Sequence, residues 1–354
     1  MTSVPTIRWG IIGTGWISTE VVKDLILERP DAKAVHVIQA IGCSSLSKGQ
    51  AFAKSTIPHL SPTVYGSYAE CYADPNVDLI YIGTPHAFHK DNCLEAIQHG
   101  KHILCEKAFT LNAREAREVF AAAKAKGVFI MEAMWTRFFP LMQTLQRLLH
   151  DEKIIGDILR VFADFGLNMD VKSLGPESRL KNKALGAGSL LDVGIYSLTW
   201  GLLCLDRNIA DKAEKPKVVS LLSLEEGVDM TSSFLLLYPS TGRQGILTST
   251  MSVKSDETFA RIEGSKGTIF VEGPGTSIPS RFKYVPNNKD EKEKVFEFEK
   301  PGAGYYYEAD AVALDIQAGR TENAVMPWAE TIRVMEIMDD IRYTNGALFP
   351  QDAE

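Results

Sequence analysis

The sequence predicts an α/β protein of two domains: a doubly wound parallel sheet over residues 1–134, then an α+β domain with a large, mostly antiparallel open sheet over 135–354. Three observations carry this. A strand-like run, Ile7–Ile12, enters the turn Gly13-Thr14-Gly15 and leaves it with Val21, Val22, Leu25 and Ile26 at helical spacing. Strand and helix patterns then alternate as far as Glu132, as parallel strands with helical crossovers require. After a glycine-flanked helix near Ser189, seven segments rich in β-branched and aromatic residues follow one another between turn residues, which is an antiparallel pattern.

In order along the chain, Gly13 makes the first turn, Gly15 lets the backbone approach a pyrophosphate, and the helix start supplies unpaired N–H groups and positive dipole. Ser18 replaces the third glycine of G-x-G-x-x-G, where a small side chain is tolerated. The strand Val35–Gly42 ends in Cys43-Ser44-Ser45-Leu46-Ser47-Lys48, with no Asp or Glu to hold a ribose 2′-hydroxyl. Hydroxyls of the three serines, Ser44, Ser45 and Ser47, and the Lys48 cation suit a 2′-phosphate, so NADP(H) is expected over NAD(H). Ser44 and Ser45 also suit a cap for the helix carrying Phe52 and Ala53.

Ser67 caps a short helix that ends near Asp74-Pro75, and Val77–Ile82 is a buried strand stopping at Gly83-Thr84-Pro85-His86. Pro85 keeps Thr84 extended, which passes the loop over the nicotinamide end of a cofactor. His86 and His89 lack a third ligand or an H-E-x-x-H pattern, so they read as core or helix-start residues and no metal site is expected. Gly100 closes a helix ahead of His102-Ile103-Leu104-Cys105-Glu106-Lys107-Ala108, an apolar run ending in an acid and a base. Ligands of such sheets lie beyond the carboxyl ends of the strands, so Lys107 projects toward ligand; the alternative is a solvated pair closing the strand. A helix over Asn112–Lys126, facing inward through Ala116, Phe120 and Ala123, and a strand over Val128–Glu132 complete the first domain.

Gly186 and Gly188 permit a tight entry to the helix near Ser189, which sets Asp192 and Tyr196 four apart on one face, either as a site or as core. Strands are expected over Val218–Leu224, Met230–Tyr238, Gln244–Val253, Thr258–Glu263, Thr268–Val271, Arg281–Val285 and Lys294–Phe298, and closing helices over Tyr305–Ala318 and Trp328–Thr344. A net charge of -7 argues against a nucleic-acid surface. The N-terminus shows no leader pattern and no apolar run approaches about 20 residues, so no membrane association is expected and the protein reads as cytoplasmic. Five scattered cysteines without C-x-x-C fit reduced thiols.

Gly13-Thr14-Gly15, Thr84-Pro85-His86-Ala87-Phe88-His89, Cys105-Glu106-Lys107 and Asp192-Val193-Gly194-Ile195-Tyr196 stand in the order and approximate spacing of the glucose-fructose oxidoreductase/inositol dehydrogenase (Gfo/Idh/MocA) family. The chain resembles that family over essentially its whole length. Within it, the runs Met131 to Pro140 and Phe349 to Asp352 are most similar to the dimeric dihydrodiol dehydrogenases and the fungal NADP-dependent D-xylose dehydrogenases. The resemblance implies that Lys107 meets the reacting hydroxyl or carbonyl, that Tyr196 exchanges a proton with it, and that Asp192 positions substrate. It further implies cofactor contacts from Gly13, Gly15, Trp16, Ile17, Ser44, Ser45, Lys48, Thr84, Pro85, His86, His89, Glu106 and Lys107, and a substrate pocket including Trp135, Arg137 and Phe165. Ala108 stands where the family has proline, so a cis peptide after Lys107 is not expected.

Also by resemblance, the open sheet face forms a homodimer, with Phe234, Leu236 and Leu247 belonging either to core or to interface. The implied activity is hydride transfer between NADP(H) and a sugar or cyclic diol, with D-xylose oxidised at C1 to a lactone foremost. A trans-dihydrodiol dehydrogenase, a non-catalytic NADP-binding sensor, and an enzyme passing hydride between two sugars on a retained cofactor are the alternatives.

Overall fold

The computed structural model describes residues 4–353, which form two compact units. Unit 1 is built on six parallel strands in the order β3-β2-β1-β4-β5-β6. They are β1 (Thr6–Ile12), β2 (Val35–Gly42), β3 (Thr63–Tyr65), β4 (Leu79–Ile82), β5 (His102–Glu106) and β6 (Ile130–Ala133). The crossovers carry α1 (Trp16–Leu25), α2 (Leu46–Thr56), α3 (Tyr68–Ala73), α4 (His89–Gln98) and α5 (Ala113–Lys126). Every residue of β4 and β6 is buried, which is why these strands read as unbroken apolar runs without alternation.

Unit 2 opens with α6 (Pro140–Gln146) and β7 (Ile158–Gly166), and then carries α7 (Ile195–Leu205) behind a wide π-helical turn, Leu190–Gly194. Seven further strands follow: β8 (Lys217–Glu225), β9 (Val228–Leu237), β10 (Gln244–Thr250), β11 (Thr258–Gly264), β12 (Gly267–Glu272), β13 (Arg281–Pro286) and β14 (Lys294–Glu297). They pair with β7 in the order β14-β13-β12-β11-β7-β10-β9-β8, antiparallel except for β7 with β10. The sequence pattern did not predict β7, although it lies within the sheet. Its pairing with β11 shifts register between Glu263 and Gly264, so Ile158 and Val161 are buried out of phase with strict alternation.

Phe234, Leu236 and Leu247 are all at most 1% exposed. They belong to the core, not to an interface. A Cβ at Gly201 would lie 2.6 Å from Leu247 Cδ1, so this glycine lets α7 approach the sheet closely. Contrary to expectation, residues 183–205 are long and apolar enough on average to span a membrane; 94% of the most apolar window is buried, so the stretch is the core of its own unit. All five cysteines are buried free thiols.

The division also differs from the expected single boundary after residue 134. Residues 300–331, with helix α8 (Tyr306–Gln317), belong to unit 1, whereas most of the closing helix α9 (Trp328–Thr344) belongs to unit 2. Hydrogen bonding explains the return. The Asp24 carboxylate accepts the backbone N–H groups of Ala303, Gly304 and Tyr305 at 3.1, 2.6 and 2.9 Å. Arg29 and His36 both reach the buried Asp310, and Trp328 Nε1 donates to Ile130 O at 2.9 Å. Trp135 stacks on Tyr305 with ring centres 3.9 Å apart.

Candidate active site

In unit 1 the neighbouring strands β2, β1, β4 and β5 bring four separate stretches of sequence to one edge: Cys43–Lys48, Gly13–Gly15, Gly83–His86 and Glu106–Lys107. Strand order reverses between β1 and β4, where such a sheet opens its ligand crevice. Gly13 has φ +90, and a Cβ there would lie 2.8 Å from Gly83 O, so the two turns meet backbone to backbone. Gly15 is different. Its backbone is extended, and a Cβ on it would meet no atom within 4 Å. The Thr19 N–H bonds Gly15 O at 3.1 Å, so α1 starts here, and its first turn holds no acidic side chain. Open space before a helix start with uncommitted amides fits a pyrophosphate. Trp16, beside it, is 72% exposed, and Ile17 is half-buried.

Ser18 is fully buried, and its Oγ would lie 2.4 Å from a Cβ on Gly83. The room usually provided by a third motif glycine is therefore supplied by Gly83. On the next turn, Ser45 caps α2, its Oγ accepting the Lys48 N–H at 3.5 Å, while Lys48 Nζ donates to Ser44 Oγ at 3.4 Å. Ser44 and Lys48 are exposed, and no carboxylate stands between Cys43 and Lys48.

The Thr84-Pro85 turn is braced from below. Asn92 Nδ2 donates to Thr84 Oγ1 at 3.1 Å, and Tyr72 OH donates to Asn92 Oδ1 at 3.0 Å. His89 was expected to contact the cofactor, but its side chain is fully buried. Its Nε2 lies 2.7 Å from Thr84 O, and its Nδ1 lies 3.1 Å from Ala108 O and 3.2 Å from Phe109 O. His89 thus ties the β4 turn to the turn after Lys107 and offers a ligand no surface of its own. Burial pushes its imidazole below the usual value, which favours the neutral ring. His86, the first residue of a short 3-10 turn, is buried as well.

The Glu106 side chain is also buried, accepting Tyr81 OH at 2.8 Å, so any cofactor contact at this position falls to its backbone. Burial, then the nearby Glu106 and Glu132, push the Glu308 carboxyl well up. Lys107 follows directly, half-buried at the carboxyl end of β5. Contrary to expectation, the Lys107–Ala108 peptide is cis, with Ala108 buried and its carbonyl beside His89.

In unit 2, Asp192 lies within the π-helical turn and Tyr196 is the second residue of α7. Tyr196 packs edge-on against Phe165 of β7, with ring centres 5.5 Å apart. Arg137 is buried. Arg179 Nη1 donates to Asp192 Oδ2 at 3.3 Å, and sequence reasoning missed it, since nothing in its segment distinguishes it from a solvated loop arginine. Its segment is anchored by Val171, Leu180 and Ala187 packed with Val228, Met230 and Met251. Asp229, also missed, lies buried against the start of the π-helical turn.

A model of an oxidoreductase family with an NAD-binding Rossmann fold matches residues 7–134, and the GFO/IDH/MocA C-terminal domain model matches residues 142–270. The chain is 34% identical to a D-xylose 1-dehydrogenase (NADP(+)) of Hypocrea jecorina, over 98% of this chain and 94% of that one. It is 35% identical to a trans-1,2-dihydrobenzene-1,2-diol dehydrogenase of Sus scrofa, over 98% and 99%. Among solved structures, an aldose-aldose oxidoreductase from Caulobacter crescentus shares the fold, with a TM-score of 0.79 at 22% identity over 99% of this chain and 98% of that one.

Proposed function

Because this chain belongs to the GFO/IDH/MocA oxidoreductase family, we propose that it is an NADP(H)-dependent dehydrogenase acting on a CH–OH group of a sugar or cyclic diol. D-xylose, oxidised at C1 to the lactone, is the first choice of substrate and a trans-dihydrodiol the second, after the two similar proteins. The observation that carries the reading is Lys107 at the carboxyl end of β5, on the same sheet edge as the open Gly15 turn. A bound NADP+ would supply the hydride acceptor for this chemistry. The residues of the chain would hold the cofactor and move the proton: Lys107 and Tyr196 share the acid-base work on the single hydroxyl proton released as the carbonyl forms, and Asp192 positions the substrate. Trp135, Arg137 and Phe165 are assigned to substrate contact by the family resemblance.

Nicotinamide absorbance with NADP+ or NAD+ and a panel of aldoses, polyols and trans-dihydrodiols tests this. Turnover with aldoses or diols is expected. Silence across the panel with NADPH binding intact would favour a non-catalytic NADP-binding sensor.

NADP(H) preference is assigned to Ser44, Ser45 and Lys48. A carboxylate at Ser44 repels a 2′-phosphate and suits a 2′-hydroxyl, and one lost charge-assisted hydrogen bond costs about 1.5–3 kcal/mol. Ser44→Asp is therefore expected to shift the ratio of NADP to NAD efficiency toward NAD by roughly 10- to 100-fold. An unchanged ratio would remove the assignment.

The outer sheet face supports a homodimer. Val219, Leu221 and Leu235 are exposed there, and Val219 pairs directly with Leu235 across β8 and β9. An apolar row on a β-sheet of this kind suits a second copy. Light scattering is expected to show a dimer, and Leu221→Arg to shift it to monomer with cofactor binding unchanged; a monomeric parent protein would sink the proposal.

A further inference from the structure

The segment carrying Asp192 and Tyr196 begins in the interior, where its first N–H groups cannot turn to water. Ser189, which precedes the π-helical turn, has helical backbone angles and does not cap its own helix. The acceptor comes from another element. Asp229, near the start of β9 and 1% exposed, accepts the Leu190 N–H at 2.7 Å and the Ser189 hydroxyl at 3.1 Å, both on Oδ2. Its other oxygen lies 2.0 Å from where a Cβ on Gly188 would stand, and Gly188 has φ +144, so both the space and the backbone there require glycine.

Three hydroxyls continue the connection. Ser189 Oγ lies 3.2 Å from Ser249 Oγ, which lies 2.6 Å from Ser232 Oγ, and all three serines are fully buried. Since Ser189 spends its proton on the carboxylate, Ser249 donates to Ser189 and Ser232 to Ser249, a chain running one way toward Asp229. Ser249 Oγ also lies 2.8 Å from where a Cβ on Gly194 would stand. The network therefore touches both ends of the five-residue turn that holds Asp192. Burial raises the Asp229 carboxyl to about 6 against the pull of its hydrogen bonds, so above that pH it is the carboxylate.

We infer that Asp229 is a positioning residue: through Leu190 and Ser189 it orients the turn bearing Asp192 and, one turn further, Tyr196. This rests on the proposed function. Asp229→Ala removes the acceptor, and displacement of reacting groups by about 1 Å costs up to roughly 100-fold in rate. The expected result, with whichever of D-xylose or trans-dihydrobenzenediol turns over, is a kcat lowered roughly 10- to 100-fold. NADPH affinity by fluorescence, a property of unit 1, stays within about twofold. Asp229→Asn keeps an oxygen for the same two donors and is expected to recover most of the kcat.

A folded Asp229→Ala protein with the parent kcat would overturn the inference, as would Asp229→Asn that is folded and equally slow. If Asp229→Ala does not fold, Ser249→Ala replaces it, with a smaller loss of kcat expected and an unchanged kcat counting against the inference. Tyr196→Phe separates the two levels. Retained turnover in that variant removes Tyr196 from the proton transfer and leaves the dehydrogenase reading standing; lost turnover there with normal kcat in Asp229→Ala removes only the positioning role, and silence of the parent protein across the panel removes the proposed function itself.

Discussion

Lys107→Met is expected to abolish turnover while leaving NADPH binding within about twofold, since the proposed function gives this side chain a role on the proton and none on the phosphates. Methionine matches the lysine stem out to Cε, keeps much of its flexibility and drops the charge and the acid-base function, so the half-buried position after β5 stays largely filled. Positioned acid-base groups contribute about 10²- to 10⁴-fold, and the loss of this one is expected near the upper end because Lys107 would also stop holding the substrate oxygen. Stopped-flow absorbance for hydride transfer and NADPH fluorescence titration read the two effects separately. Unaltered turnover would withdraw Lys107 from the mechanism, and lost NADPH binding would recast it as a cofactor ligand.

Gly15→Val is the complementary case, with cofactor binding lost and the fold kept. The extended backbone at Gly15 accepts a β-branched residue, and a Cβ there meets nothing within 4 Å. A bound pyrophosphate would meet it. Losing two charge-assisted hydrogen bonds at about 1.5–3 kcal/mol each weakens NADPH binding by at least roughly 100-fold. The thermal midpoint of the cofactor-free protein is expected to fall only by the small cost of changing a helix N-cap. The same change at Gly13 should instead damage the fold, because φ there is +90 and Gly83 O is 2.8 Å from the added carbon. If Gly15→Val binds NADPH normally, the pyrophosphate does not lie at this turn.

Much of the cofactor side was legible because its signals are local. The run from Ile7 through Gly15 into Val21 and Val22 specifies strand, turn and helix by nearest-neighbour sterics and periodicity, and the structure has them in that order. Ser45 and Ser67 cap the helices that follow them for the same reason. The apolar run before Glu106 and Lys107 is strand β5.

Distant partners decided the rest. Ser18 departs from the glycine pattern, and only the placement of Gly83 across β1 and β4 shows how it is accommodated. His89 and Glu106 looked like cofactor contacts in a motif, yet both side chains are buried and hydrogen-bonded, because residues up to 25 positions away supply their partners. In Phe234-Leu235-Leu236 every residue is apolar, so periodicity could not say which face is covered; the sheet buries the first and third and exposes the second. Asp229 reads in sequence as one acid near a turn. Its meaning comes from Leu190, 39 residues earlier.

By itself, then, the sequence determined the α/β plan of a parallel and a mostly antiparallel sheet, the glycine turn and the Lys107 strand end, since each depends on residues within a few positions of one another. Tertiary structure alone decided that residues 300–331 return to unit 1, that β7 enters the sheet beside a parallel β10, and that Asp229 caps the turn bearing Asp192. These outcomes depend on which buried donors and acceptors find one another across long stretches of chain, and a buried carboxylate such as Asp24 or Asp229 must satisfy that requirement wherever the partners lie.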